Sequence, residues 1–166
     1  MITNIKKPLA LLLLVAVVGS CSKQKGFGPN FKDYSGGNTP VVITNAVDYR
    51  PDPTVTVSLA GDSSITVVLS IPASSGRTIK EITKVAASSS YAAIQSTGAT
   101  GFYNVPVIPG NGKTVTFTTS IGAYLQQFKT EKLKVNTELV NRFYFRITLD
   151  DGSIVYPTPV RVIVVS

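Results

Sequence analysis

Adjacent carboxylates occur once in the chain, at Asp150-Asp151. Such a pair suits proton transfer or a hard cation. Calcium, however, takes about six to eight oxygens, and no ladder of Asp and Asn surrounds these two. Gly152 follows directly, so the run reads as a hairpin turn, where Asp and Gly tolerate positive φ. Asp33, Asp48 and Asp52 fall at no metal-ligand spacing and read as solvated charges. Glu81, Glu131 and Glu138 stand singly among lysines and read as surface ion pairs, whereas glycosidase chemistry needs two facing carboxylates. Ser74-Ser75 and Ser88-Ser89-Ser90 have no lysine at Ser-x-x-Lys spacing and read as loops. The chain has no histidine and one cysteine. Ser-His-Asp and Cys-His devices, His-ligated metals, cysteine zinc clusters and internal disulfides are therefore excluded. The expectation is a protein that is not an enzyme and uses no metal or cofactor.

Two sets of residues suit binding. Lys129, Lys132, Lys134 and Arg142, with Arg146 and Arg161 after them, offer positive charge to an anionic lipid, lipopolysaccharide or acidic glycan; a solvated face is the plainer reading. Tyr91 and Tyr103 are the candidates for stacking on a sugar, within a wider set of Phe102, Tyr124, Tyr144 and Tyr156. Such platforms favour tryptophan, which is absent. Nucleic acid would use the same basic charges, but the first twenty residues argue for export and against that partner.

Lys6 and Lys7 form a basic start, and Leu9 to Val18 is an unbroken apolar run. A spanning helix needs about twenty apolar residues, whereas a run of about ten fits the central region of an export signal. The segment that follows, Val18-Gly19-Ser20-Cys21, resembles the lipobox of bacterial lipoproteins. The resemblance implies cleavage between Ser20 and Cys21 and a diacylglyceryl group on the Cys21 thiol, usually with an acylated amino terminus. One chain anchors only marginally, and each buried methylene adds about 0.8 kcal/mol, so two or three chains would hold the protein on a membrane. Cleavage removes two lysines and lowers the formal charge from +7 to +5, 14 basic groups against 9 acidic, with the acylated terminus uncharged. Ser22-Lys23-Gln24-Lys25 place no Asp after the cysteine and no acidic run. By the family's sorting rules this implies the periplasmic side of the outer membrane, with the cell surface as the other destination.

The 166 residues are 43% hydrophobic and 15% charged, which excludes a disordered polyampholyte. Positions 21–52 are rich in Gly, Pro, Asn and Lys without sustained period, and read as a tether with a reach of roughly 30 Å. Val41-Val42-Ile43 inside it reads equally as a leading strand or as an isolated apolar patch. From position 53 the pattern turns to period two. Val55, Val57 and Leu59 alternate with threonine and serine, and after the turn Gly61-Asp62-Ser63 the period repeats at Ile65, Val67, Leu69 and Ile71. Val115 and Phe117 follow, then Phe143, Phe145, Ile147 and Leu149, and last Val160, Val162 and Val164. Alternation with β-branched and aromatic residues marks half-buried strands.

Two stretches depart from that pattern. Ile79, Ile82 and Val85 recur every third residue, which fits a bulged strand better than a helix face. Ile121, Leu125 and Phe128 lie at helical spacing after a capping Ser120. Pro157 and Pro159 mark the last strand as an edge or bulged strand.

The sum is an all-β fold of about seven strands with one short crossover helix, over residues 53–166. Its strand count, spacing and closing run Phe143 to Gly152 resemble an immunoglobulin-like antiparallel β-sandwich, without the paired cysteines and tryptophan of antibody domains. The resemblance implies a lipid-anchored envelope protein with a structural or binding role, docking an unknown envelope protein or glycan. The other reading is an accessory glycan-binding lipoprotein of an uptake system.

Overall fold

The computed structural model describes residues 39–95, 103 and 107–166, so the segment read as an export signal, Ser20, Cys21, Asp33 and Phe102 lie outside the described residues. The fold is an all-β sandwich. Its strands are β1 (Val42–Ile43), β2 (Thr54–Ser58), β3 (Ser64–Ser70), β4 (Ile79–Ser88), β5 (Ile108–Pro109), β6 (Thr114–Ser120), β7 (Thr137–Glu138), β8 (Arg142–Leu149), β9 (Ile154–Val155) and β10 (Arg161–Val165). Among the described residues two short α-helices accompany them, α1 (Ala92–Gln95) and α2 (Ile121–Gln127), with a single 3-10 turn at Ala73–Ser75.

Three sheets form, in the orders β1-β3-β6, β2-β10-β7 and β5-β4-β8-β9. The last two are joined where Phe143 and Val160 exchange both backbone hydrogen bonds, at 2.9 and 2.8 Å. The joined strands face β1-β3-β6 across a core in which Phe117 of β6 lies 5.6 Å from Phe143 and 5.6 Å from Phe145 of β8, ring centre to ring centre. All pairs are antiparallel except β2 with β10, which run parallel from Thr54 against Arg161 to Ser58 against Val165.

The alternating residues fill this core as expected. Ile65, Val67, Leu69, Phe143, Phe145, Ile147, Val162 and Val164 are all buried. Leu59 is not: it lies one residue past the end of β2 and is 41% exposed. The three-residue spacing in β4 has a clear cause. The pairing of β4 with β8 shifts between Ile79 and Glu81 and again between Ile82 and Lys84. Each shift inserts one extra residue, Lys80 and then Thr83, so inward positions fall at every third residue instead of every second.

The turns follow their residue types. Asp150 to Ser153 joins β8 to β9, with Gly152 at φ +82°. Gly110 answers to a close approach, since a Cβ there would lie 2.0 Å from the Ile79 carbonyl oxygen. Pro157 and Pro159 lie before the last strand and not in it, in the gap between β9 and β10. They therefore do not make β10 an edge: it pairs with β2 on one side and β7 on the other. Helix α2 starts where expected, with the Ser120 hydroxyl accepting from the Ala123 N–H at 3.1 Å.

The boundary at residue 53 is corrected. Val42 and Ile43 pair with Ser70 and Leu69, and Ile43 is 1% exposed. Past β1 the Asn45 side chain substitutes for a strand: its Nδ2 donates to the Thr66 carbonyl at 2.8 Å and its Oδ1 accepts from the Val68 N–H at 2.9 Å. The Tyr49 hydroxyl donates back to the Ile43 carbonyl at 2.6 Å. Composition favoured a tether because Gly, Pro and Asn dominate the stretch, yet one buried isoleucine and an asparagine amide suffice to dock it. Ile43→Ala should cost about 2–4 kcal/mol in urea melts, and Val42→Ala, on the exposed side, within about 0.5 kcal/mol. Equal effects would mean that β1 is not part of the cooperative fold.

Candidate functional site

The acidic residues serve the fold. Asp150 accepts from the Thr78 N–H at 3.1 Å and the Thr78 hydroxyl at 3.2 Å. Asp151 accepts from the Ser153 hydroxyl at 2.6 Å and pairs with Arg77 at 2.7 Å. The Ser153 bonds, first the hydroxyl and then the backbone N–H, hold the Asp151 carboxyl below its ordinary range. Asp48 is lowered too, chiefly by the backbone N–H groups of Arg50 and Tyr49. Among the described residues no three His, Cys, Asp or Glu side chains gather as metal ligands.

Two carboxylates have partners that sequence spacing did not reveal. Asp52, read as solvated, pairs with Arg142 at 2.6 Å. Glu131, read as a surface ion pair, instead bridges neutral groups: it accepts from the Tyr124 hydroxyl at 2.5 Å and from the Val140 N–H at 2.9 Å. Asn141 donates its backbone N–H to the same Tyr124 oxygen at 3.2 Å. Tyr124 is fully buried on α2, with its ring against Phe128 and Phe143. This polar knot fastens α2 to the segment that leads into β8. Burial, and next the Glu131 acceptor, push the Tyr124 hydroxyl up to about 12.

The basic set does not assemble into one surface. Arg142 is held by Asp52 and lies 3.7 Å from Glu138, while Arg161 reaches Glu138 at 2.6 Å. These partners quench the positive charge of both arginines. Lys129, Lys132 and Lys134 are exposed in the loop after α2. Arg146 stands apart on β8. The expected contact surface of Lys129, Lys132, Lys134 and Arg142 is thus reduced to its three lysines, because Arg142 is spent on the fold.

The tyrosines are divided by a sheet. Tyr103 packs into the main core, its ring centre 5.3 Å from that of Phe143, with its N–H on the Val85 carbonyl at 3.0 Å. Tyr91 lies on the other face of the same sheet, edge-on to Tyr144 at 4.7 Å. One platform cannot use both, which overturns the pairing of Tyr91 with Tyr103. Strand alternation alone leaves Tyr144 partly wet, yet it is only 4% exposed. The segment carrying Tyr91 and α1 folds over the sheet, and Ile94, Ala86 and Tyr144 form a second small core with Tyr91, Ala93 and Tyr156 around it.

Beside that second core lie Lys84 and Arg146, directly opposite each other on β4 and β8 and both half-buried. Lys84 did not stand out in the sequence. The two bulges in β4 hide its register, and it is 62 residues from its neighbour. No helix among the described residues is long and apolar enough to cross a membrane. No family model, curated protein or solved structure matches the chain.

The buried tyrosines make stability depend on alkaline pH. Tyr124 ionises at about 12 in the fold against 10.0 when free, and burial raises Tyr103 and Tyr144 as well. As pH rises, the unfolded chain releases these protons first. Stability is therefore full below pH 10 and falls as pH rises through the folded values. Tyr124→Phe should cost about 1–3 kcal/mol at neutral pH, because Glu131 and Asn141 lose a partner. The variant should also lose less stability between pH 10 and pH 12 than the parent. Urea melts across that range check both outcomes, and an unchanged pH slope would remove Tyr124 from the account.

Proposed function

We propose that the chain is a lipid-anchored module of a bacterial cell envelope, held by acyl chains on Cys21. In this reading the sandwich is a structural or binding domain with no catalytic chemistry of its own. The observation that carries it is the order Lys6-Lys7, a ten-residue apolar run, then Val18-Gly19-Ser20-Cys21. A buried helix ending in a core cysteine rarely starts with two lysines at the extreme amino terminus, whereas an export signal requires them. The residues after the cysteine favour the outer membrane, facing the periplasm.

The fold agrees with a binding role. Asp52, Glu138 and Asp151 are tied to arginines and Glu131 to Tyr124, so these acids act as fasteners between segments. We read the sandwich as immunoglobulin-like from its two layers, its closing β8–β9 hairpin and the last strand running between β2 and β7. Such a domain serves as a rigid carrier of surface residues, and its partner is an envelope protein or glycan.

The anchor is tested by expressing the full chain and its Cys21→Ser variant in a Gram-negative host with a labelled fatty acid. The parent should take up label and sediment with membranes. The variant should lose the label and move to the soluble fraction. Undiminished labelling of the variant would falsify the assignment of Cys21.

A further inference from the structure

The chain has five arginines, and four of them have a carboxylate within reach. Arg50 lies 3.7 Å from Asp48, Arg77 2.7 Å from Asp151, Arg142 2.6 Å from Asp52 and Arg161 2.6 Å from Glu138. Arg146 has none among the described residues, and its Nε is shielded from water without an acceptor. A buried N–H on a charged group without a partner is costly. The residue directly across the ladder makes matters worse: it is Lys84. Like charges opposite each other on adjacent strands repel. The next pair along the same face is Glu81 with Thr148, and Glu81 makes no ion pair with Arg146. The fold thus holds two cations together on a half-buried sheet face and supplies no counter-charge to Arg146.

The surroundings are aromatic. Tyr144 precedes Arg146 by two residues on the same face, with Tyr91 edge-on to it at 4.7 Å and Tyr156 packed alongside. We propose that this outer face of β4 and β8, centred on Arg146 and Lys84, binds a carboxylated saccharide such as a uronate-containing glycan. The planar guanidinium takes a planar carboxylate through two hydrogen bonds. Lys84 adds a second positive charge, and the exposed parts of Tyr91 and Tyr156 offer apolar surface to the C–H face of a sugar ring. Phosphate recognition commonly adds a nest of free backbone N–H groups, but here the strands use theirs in the ladder. The proposal rests on the reading of the sandwich as a binding module and not on the anchor. Fractionation of Cys21→Ser is blind to this site, so the two ideas fail separately.

The test uses the full chain in detergent, labelled with nitrogen-15, and follows backbone amide signals during titration. The probes are an oligogalacturonate, a neutral galacto-oligosaccharide of the same length, and inorganic phosphate. The oligogalacturonate should give saturable shifts at Lys84, Tyr144, Arg146 and Tyr156, and the other two probes should bind at least about tenfold more weakly. Arg146→Gln should weaken oligogalacturonate binding about tenfold or more. Arg146→Lys keeps the charge but loses the planar fork, so it should also weaken binding and stands in if the glutamine variant folds poorly. Lys132→Gln, in the loop after α2, should bind as the parent does. No saturable shift at these residues, an equal response to the neutral sugar or to phosphate, or parental affinity in a folded Arg146 variant would each overturn the proposal.

Discussion

Phe117 meeting Phe143 and Phe145 across the two layers is the contact on which the other placements depend. It locks the facing of β8. Because side chains alternate along a strand, a slip of one residue would turn Tyr144, Arg146 and Thr148 inward and expose four large apolar groups. The energetic gap is wide, since each large core side chain contributes about 1.5–3 kcal/mol by burial. The outward direction of Arg146 is therefore a consequence of core packing. The same facing brings Phe143 against Tyr124, so the α2 crossover docks on the strand that the core has already oriented.

Polar groups then tie the loops to this frame. Glu131 clasps Tyr124 and the backbone at Val140, and Asp52, Arg142, Glu138 and Arg161 form a chain of pairs from the amino-terminal segment to β10. These pairs are partly buried yet still reach water, and pairs that keep water contact contribute little each, commonly about 1 kcal/mol or less. Their role is to choose among loop positions that the hydrophobic effect leaves nearly equal. The buried Tyr124 knot is different, because removing one member strands the others without water to replace it.

Against that background the Lys84–Arg146 row is the exception. Elsewhere the sandwich answers each arginine with an acid, and here it sets a lysine opposite an arginine beside three tyrosines. A fold that gives its other four arginines a carboxylate each, and Arg146 none among the described residues, has that guanidinium available for recognition.

Much of the architecture was legible from the residues alone. The all-β class, the inward set of β8, the hairpin at Asp150-Asp151-Gly152 and the helix after Ser120 all follow from local rules: period two, turn chemistry and capping depend on residues close in sequence. Tertiary structure decided what depends on residues far apart. Val42–Ile43 joined the sheet because β3 offered an unpaired edge and a pocket for Ile43. Tyr144 became buried because α1 folded over a face that alternation alone leaves wet. Tyr91 and Tyr103 were separated by a sheet whose position neither residue encodes. Arg142 lost its free charge to Asp52, 90 residues away, while Arg146 kept its own because its cross-strand neighbour, placed by two bulges, is a lysine. Local sequence sets which way a strand faces; which groups then meet is fixed only when the layers close.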